Sequence, residues 1–175
     1  MAAMLAAACT QIVRVDTHAP YVADTAFAVT GRLSAQHAAD ALSANFDWQH
    51  RANADTIVLA TPLGQAIARL ERRDGVVTVA LADGRHASAD TFDALTERAF
   101  GVALPVTGLT WWIRALPRAG SAFAIERDRG GRPIVLRQDG WEIDYSYADA
   151  AATLPRRLLL AYPQIDMRVV VDQWR

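Results

Sequence analysis

Gln138-Asp139-Gly140-Trp141-Glu142-Ile143-Asp144-Tyr145-Ser146-Tyr147 decides how the rest of the chain is read. Asp139-Gly140 is a tight-turn signal, and beyond it Trp141, Ile143, Tyr145 and Tyr147 alternate with Glu142, Asp144 and Ser146. Successive side chains of a strand point to opposite faces, so this is a strand with one apolar and one wet face. Working outward, Pro133–Gln138 leads into the same turn, and Ala122–Asp128 precedes a turn at Gly130-Gly131. On the other side, Arg157–Tyr162 and Asp166–Val171 repeat the alternation. The N-terminal half does likewise: Ala26–Ser34 carries Phe27, Val29, Gly31 and Leu33 on one face, and Ser43–His50 carries Phe46 and Trp48. Thr56–Ala60, Gln65–Glu71 and Val76–Leu81 follow, the last closed by Asp83-Gly84. Connections of hairpin length predict an antiparallel meander.

One segment breaks the period of two. From Ser88, read as an N-cap, Phe92, Leu95, Ala99 and Phe100 recur at helical spacing, and Gly101 supplies the stop. A second short helix is predicted over Leu109–Leu116, between the Leu104-Pro105 break and Pro117, and it carries Trp111 and Trp112. Two short helices inside such a meander would cover one face or one open end of the sheet. No repeat, low-complexity segment or domain linker interrupts the chain.

The 175 residues suit one domain with a sizeable core. Lys+Arg 18 against Asp+Glu 19 leaves a net charge of -1, which offers no footprint for nucleic acid and no polybasic arm for anionic lipid. Every Lys+Arg position is arginine, so chemistry that needs a lysine Schiff base or a P-loop lysine is excluded. His18, His37, His50 and His86 fall in unrelated segments without metal-ligand or nucleophile-base spacing. Glu142 and Asp144 lie two apart on a strand, the wet face of which accounts for them better than an acid/base pair. No metal site and no enzyme activity are expected.

Aromatic side chains recur on the inward faces: Phe27, Phe46, Trp48, Trp141 and Tyr145, with Trp111 and Trp112 on the covering helix. Core packing explains such residues, and so does the wall of a cavity inside a curved sheet. Thr61-Pro62-Leu63-Gly64 joins two strands with turn chemistry that pushes Leu63 to the loop tip. There it either folds back onto the core or points outward as a small membrane probe. The first ten residues, Met-Ala-Ala-Met-Leu-Ala-Ala-Ala-Cys-Thr, form an apolar run too short to span a bilayer, ending at the single cysteine, Cys9. Residues 1–9 read as a truncated, lipobox-like export signal, a start codon assigned too late being one way to lose its basic end. A plain N-terminal stub with an incidental cysteine is the alternative. Residues 10–25 read as a tether, and 26–175 as the folded domain.

Several of these pieces, in this order, resemble the LolB family of outer-membrane lipoproteins. They are Gly31-Arg32-Leu33-Ser34, Ser43-Ala44-Asn45-Phe46-Asp47-Trp48, Pro62-Leu63-Gly64-Gln65, Gly101 with Leu104-Pro105-Val106, Leu109–Ile113, Gln138-Asp139-Gly140-Trp141 and Val171-Asp172-Gln173-Trp174. The resemblance implies a mainly β fold, an unclosed and strongly curved antiparallel half-barrel with a short helical lid over an apolar cavity. It also implies the task of accepting lipoproteins from the periplasmic carrier LolA and inserting them into the inner leaflet of the outer membrane. By the same resemblance Cys9 carries the lipid anchor, with Thr10 after it instead of the aspartate of inner-membrane retention. Leu63, held between Pro62 and Gly64, is the protruding loop leucine. The expected acyl-cavity wall comprises Phe27, Val29, Phe46, Trp48, Trp111, Trp112, Trp141, Ile143 and Tyr145. Two departures stand out: the truncated signal, and a segment after Cys9 that reads poorly as an N-terminal helix, which leaves the lid to Ser88–Phe100 and Leu109–Leu116.

The implied partners are a LolA-like carrier, acylated lipoproteins and the inner leaflet of the outer membrane, on whose periplasmic face the protein would sit. No nucleic acid is expected, nor any cofactor beyond a covalent lipid on Cys9, and the protein is expected to be a monomer. The competing reading is a soluble lipocalin-like periplasmic carrier of a free small lipid, which needs neither Cys9 nor an exposed Leu63.

Overall fold

The computed structural model describes residues 25–175, together with the backbone of residues 14–16. In chain order the elements are β1 (Arg14–Asp16), β2 (Phe27–His37), β3 (Asp40–Arg51), β4 (Ala54–Ala60), β5 (Ala66–Arg73), β6 (Val76–Leu81) and β7 (His86–Ala89), then α1 (Phe92–Phe100) and α2 (Val106–Trp112). The chain closes with β8 (Phe123–Arg127), β9 (Pro133–Gln138), β10 (Trp141–Ser146), β11 (Arg157–Tyr162) and β12 (Ile165–Trp174). All strands join one 12-stranded sheet in the order β1-β8-β9-β10-β11-β12-β2-β3-β4-β5-β6-β7, every pairing antiparallel. The sheet ends on β1 and β7 without closing. The chain's two halves are joined by β2 against β12, paired from Ile165↔His37 to Trp174↔Val29.

Alternation explains the curvature. Buried positions alternate along β2, β3, β4, β10 and β12, and their large apolar side chains enter one hydrophobic cluster with residues of α1 and α2. A flat sheet of this width could not bring Leu70 and Leu136 into a common core, so the sheet wraps around the helices. Gly31 permits the wrap where β2 meets β12, because a Cβ there would lie 2.1 Å from the Val170 carbonyl oxygen and 2.8 Å from Phe46. The opening turn is as expected: Asp139 and Gly140 both have positive φ, 53° and 82°, the signature of a type I′ hairpin.

Three differences from the sequence reading have local causes. Ser88 caps nothing; it lies inside β7, paired with Thr78, and the N-cap is Thr91, whose side chain accepts from the Ala94 amide at 3.2 Å. The second helix covers Val106–Trp112 and so begins and ends earlier than Leu109–Leu116. Pro105, lacking an N–H, is tolerated at its start, and Gly108 is required because a Cβ would come within 2.4 Å of the Trp112 ring. Within the 10–25 stretch read as a tether, Arg14–Asp16 pairs with β8 and extends the sheet.

Candidate functional site

α1 and α2 form a lid across the concave face of the sheet. α1 ends where Gly101 adopts a left-handed conformation and its N–H bonds the Glu97 carbonyl. The turn into α2 is stitched back by Thr96, whose hydroxyl donates to the Phe92 carbonyl at 2.9 Å and accepts from the Leu104 amide at 2.8 Å. At the far end the buried Gln138 of β9 holds the lid. Its Oε1 accepts from Trp112 Nε1 at 2.9 Å and from the Arg118 amide at 2.7 Å, and its Nε2 donates to the Arg118 carbonyl at 2.7 Å. Both ends of the lid are pinned, while its middle rests on the cavity by apolar contact.

That cavity has an unfilled volume of about 40 Å³. The sheet contributes Leu33, Phe46, Trp48, Ile57, Leu59, Leu70, Met167 and Val169, and the lid contributes Leu104, Val106, Leu109 and Ile113. Every side chain is hydrocarbon, thioether or aromatic, so water inside has no hydrogen-bonding wall. The volume admits about three water-sized bodies, at 10–15 Å³ each. An acyl chain needs far more, so admitting one requires the lid to rise.

Of the nine residues expected to line this space, Phe46 and Trp48 do. Val29, Trp112, Trp141, Ile143 and Tyr145 belong to the same buried core without bordering the unfilled space, and Phe27 and Trp111 are half-buried at its margin. The reason is curvature: the cavity lies against β12, β2, β3, β4 and β5, whereas Trp141, Ile143 and Tyr145 stand on β10, across the wrap. Trp141 packs instead on Tyr162, with ring centres 5.0 Å apart, and tilts toward Trp112 at 6.2 Å. Phe27 packs beside Trp48, His50 and Trp174, and the Arg114 guanidinium lies 5.4 Å from both the Phe27 and Trp111 rings. The aliphatic wall residues escaped the sequence reading because any strand of this pattern carries them.

Beneath Trp48 lies a buried ionic cluster. Asp55 Oδ1 accepts from Trp48 Nε1 at 2.8 Å and faces His50 Nδ1 at 2.7 Å, while Oδ2 accepts from Arg72 Nε at 2.7 Å. A carboxylate can only accept, which places the facing His50 proton on Nδ1. Burial by itself pushes the Asp55 carboxyl up. The bonds from His50 and Trp48, the charge of His50 and the bond from Arg72 outweigh it and hold the group below the usual carboxylate range.

Leu63 is 91% exposed. The loop beneath it is ordered by three bonds: the Gly64 amide to the Thr61 carbonyl at 2.9 Å, the Thr61 amide to the Gln65 carbonyl at 2.8 Å, and the Gln65 amide to Thr61 Oγ1 at 3.2 Å. Gly64 takes φ 85°, completing a tight turn followed by a left-handed residue, a usual three-residue hairpin connection. Asn45 Nδ2 reaches from β3 to the Thr61 carbonyl at 3.3 Å. With Pro62 fixing φ ahead of it, Leu63 is held out by a closed turn. Asn45 and Thr61 carry no sequence signal of this role. Cys9 lies outside the described residues. Among the described residues no helix is long and apolar enough to cross a membrane.

A family model described as "Outer membrane lipoprotein LolB" matches residues 25–174. The chain is similar to an outer-membrane lipoprotein LolB of Thiobacillus denitrificans, at 38% identity over 86% of this chain and 80% of the relative. It is similar to one of Chromobacterium violaceum, at 37% over 87% and 82%, and to one of Azoarcus sp., at 33% over 98% and 90%.

Proposed function

The chain belongs to the outer-membrane lipoprotein LolB family, and from that premise we propose that it receives lipoproteins from a LolA-like periplasmic carrier and inserts them into the inner leaflet of the outer membrane. It acts at the periplasmic face of that membrane as a lipid-anchored protein, with Cys9 as the lipidated residue. The observation that carries the reading is the wholly apolar space between sheet and lid. Each buried methylene of an acyl chain is worth about 0.8 kcal/mol, so an acylated protein crosses an aqueous compartment only inside such a shelter. Rising of the lid lengthens the small cavity into an acyl site, with Phe46 and Trp48 as its aromatic wall.

Release needs a second device, and Leu63 supplies it. Inserting its side chain among acyl chains gains about 1.5–3 kcal/mol, enough for a brief touch and too little to anchor the protein. The turn that holds Leu63 out therefore brings the cavity to the bilayer transiently, while the lipid on Cys9 provides residence. The task is physical transfer, and no bond of the cargo is made or broken. A soluble lipocalin-like carrier would also use an apolar cavity, but the sheet here ends on β1 and β7 unclosed, and the family is one of outer-membrane lipoproteins.

The test is reconstitution. A complex of a LolA-like carrier with a labelled lipoprotein, given this protein and liposomes, should lose the label to the liposomes. Label that stays with the carrier would reject the reading.

A further inference from the structure

Tyr145 is 6% exposed, and among the described residues its hydroxyl meets no hydrogen-bonding partner. The contrast with its neighbours is sharp. Tyr147, two residues on, donates to the Pro133 carbonyl at 2.8 Å, and the indole N–H groups of Trp48 and Trp112 are bonded to Asp55 and Gln138. A buried hydroxyl left unpaired is destabilising, and phenylalanine would fill the same space without that cost.

The register places Tyr145 in one buried row with two residues of the cavity wall, two strands away from that wall. Tyr145 pairs with Leu158, Leu158 with Val169, and Val169 with Leu33, a single buried row across β10, β11, β12 and β2. Val169 and Leu33 border the cavity. Neighbouring strands are about 4.8 Å apart, so two strand spacings separate Tyr145 from the cavity wall, and the inward curl of the sheet shortens the path between side chains. An acyl group that extended past Val169, beyond the present cavity, would approach a hydroxyl that has no acceptor among the described residues.

We propose that the Tyr145 hydroxyl donates a hydrogen bond to the ester carbonyl of an O-acyl glyceryl group carried by the cargo, making the site selective for ester-linked over ether-linked chains. This rests on the reading of the cavity as an acyl site. An acyl chain offers no other strong acceptor along its length, and an ether oxygen is a far weaker one. The apolar wall grips chains of any linkage, and Tyr145 adds the sense of where the chain ends.

The experiment titrates the protein with a dioctanoyl-glyceryl cysteinyl peptide and with its dioctyl-ether counterpart, for the wild type and Tyr145→Phe. The wild type should bind the ester roughly three- to tenfold more tightly, the size of one net hydrogen bond. Tyr145→Phe should abolish the preference by weakening the ester alone, and without ligand it should melt at or above the wild-type temperature. An ester preference that survives in Tyr145→Phe, or none in the wild type, overturns the proposal. So does a lower melting temperature of the ligand-free variant, which would mean that the hydroxyl is already satisfied. A parallel pair, dioctanoyl phosphatidylcholine and its ether analogue, separates the two sources of glyceryl ester, and a Tyr145-dependent preference confined to the phospholipid overturns the assignment to cargo. Failure of both peptides to bind rejects the acyl site itself, and the proposal with it.

Discussion

Trp48 donates its indole N–H to Asp55 Oδ1 at 2.8 Å, tying a wall of the apolar cavity to a carboxylate whose side chain is 1% exposed. His50 and Arg72 complete the cluster, so the position of the aromatic wall depends on charges packed behind it.

Asp55→Ala should therefore cost about 3 kcal/mol, because removing one partner of a buried ionic cluster leaves the others uncompensated. The Asp55 carboxyl is held below its usual range in the folded state. Its contribution is complete above the unfolded value of about 3.9 and is lost as pH falls through the lower folded value. Urea midpoints measured from pH 5 downward should fall in the wild type and change less in the variant; equal slopes would show that Asp55 does not govern this loss.

Gln138→Leu should strip the lid's C-terminal anchor. The Trp112 indole and the Arg118 amide would lose the acceptor they share, at about 1–3 kcal/mol for each buried donor left bare. Hydrogen exchange should quicken over residues 106–118 more than in β2 and β12.

Gly31→Ala forces a Cβ to within 2.1 Å of the Val170 carbonyl oxygen at the β2–β12 seam. Overpacking of this kind costs about 1–3 kcal/mol or more, and here the contact is backbone, which cannot rotate away. Thermal melting should drop by several degrees, whereas Gly120→Ala, with open space around it, should suffer only the strain of its positive φ.

Leu63→Glu should leave stability within about 0.5 kcal/mol, as expected of an exposed position. Cargo should still pass from the carrier to the variant, while delivery into liposomes falls. Delivery at the wild-type rate would remove Leu63 from the mechanism.

Cys9→Ala, expressed in cells fed labelled palmitate, should carry no label and should fractionate away from the outer membrane. Persistent labelling would place the anchor on another residue.

Much of the fold was legible because its strands are long and one-sided. Trp141, Ile143 and Tyr145 announce their face by alternation, and Asp139-Gly140 announces its turn. β7 was not legible, since His-Ala-Ser-Ala offers no large apolar residue, and its Ser88 resembles a helix cap. α2 was misplaced because Val106, Thr107 and Gly108 are poor helix formers, and the fit of Trp112 over Gly108 outweighs their preference. Little of the cavity wall was legible. Phe46 and Trp48 stand on it, whereas Tyr145 and Trp141, identical in pattern, do not.

By itself the sequence determined which side chains face inward on the long strands, where most of the chain's turns fall, and that no lysine and only one cysteine are present for chemistry. These follow from period, turn preference and composition, which are local. Only the tertiary structure decided which inward residues surround empty space, that Asp55 shares a buried cluster with Trp48, and that the Tyr145 hydroxyl has no acceptor among the described residues. It also settled the orientation of Leu63, which turn chemistry alone left free to fold back. Each of these depends on how tightly the sheet curls and on which strand lies across from which, and that is fixed by the β2–β12 seam between residues more than a hundred positions apart.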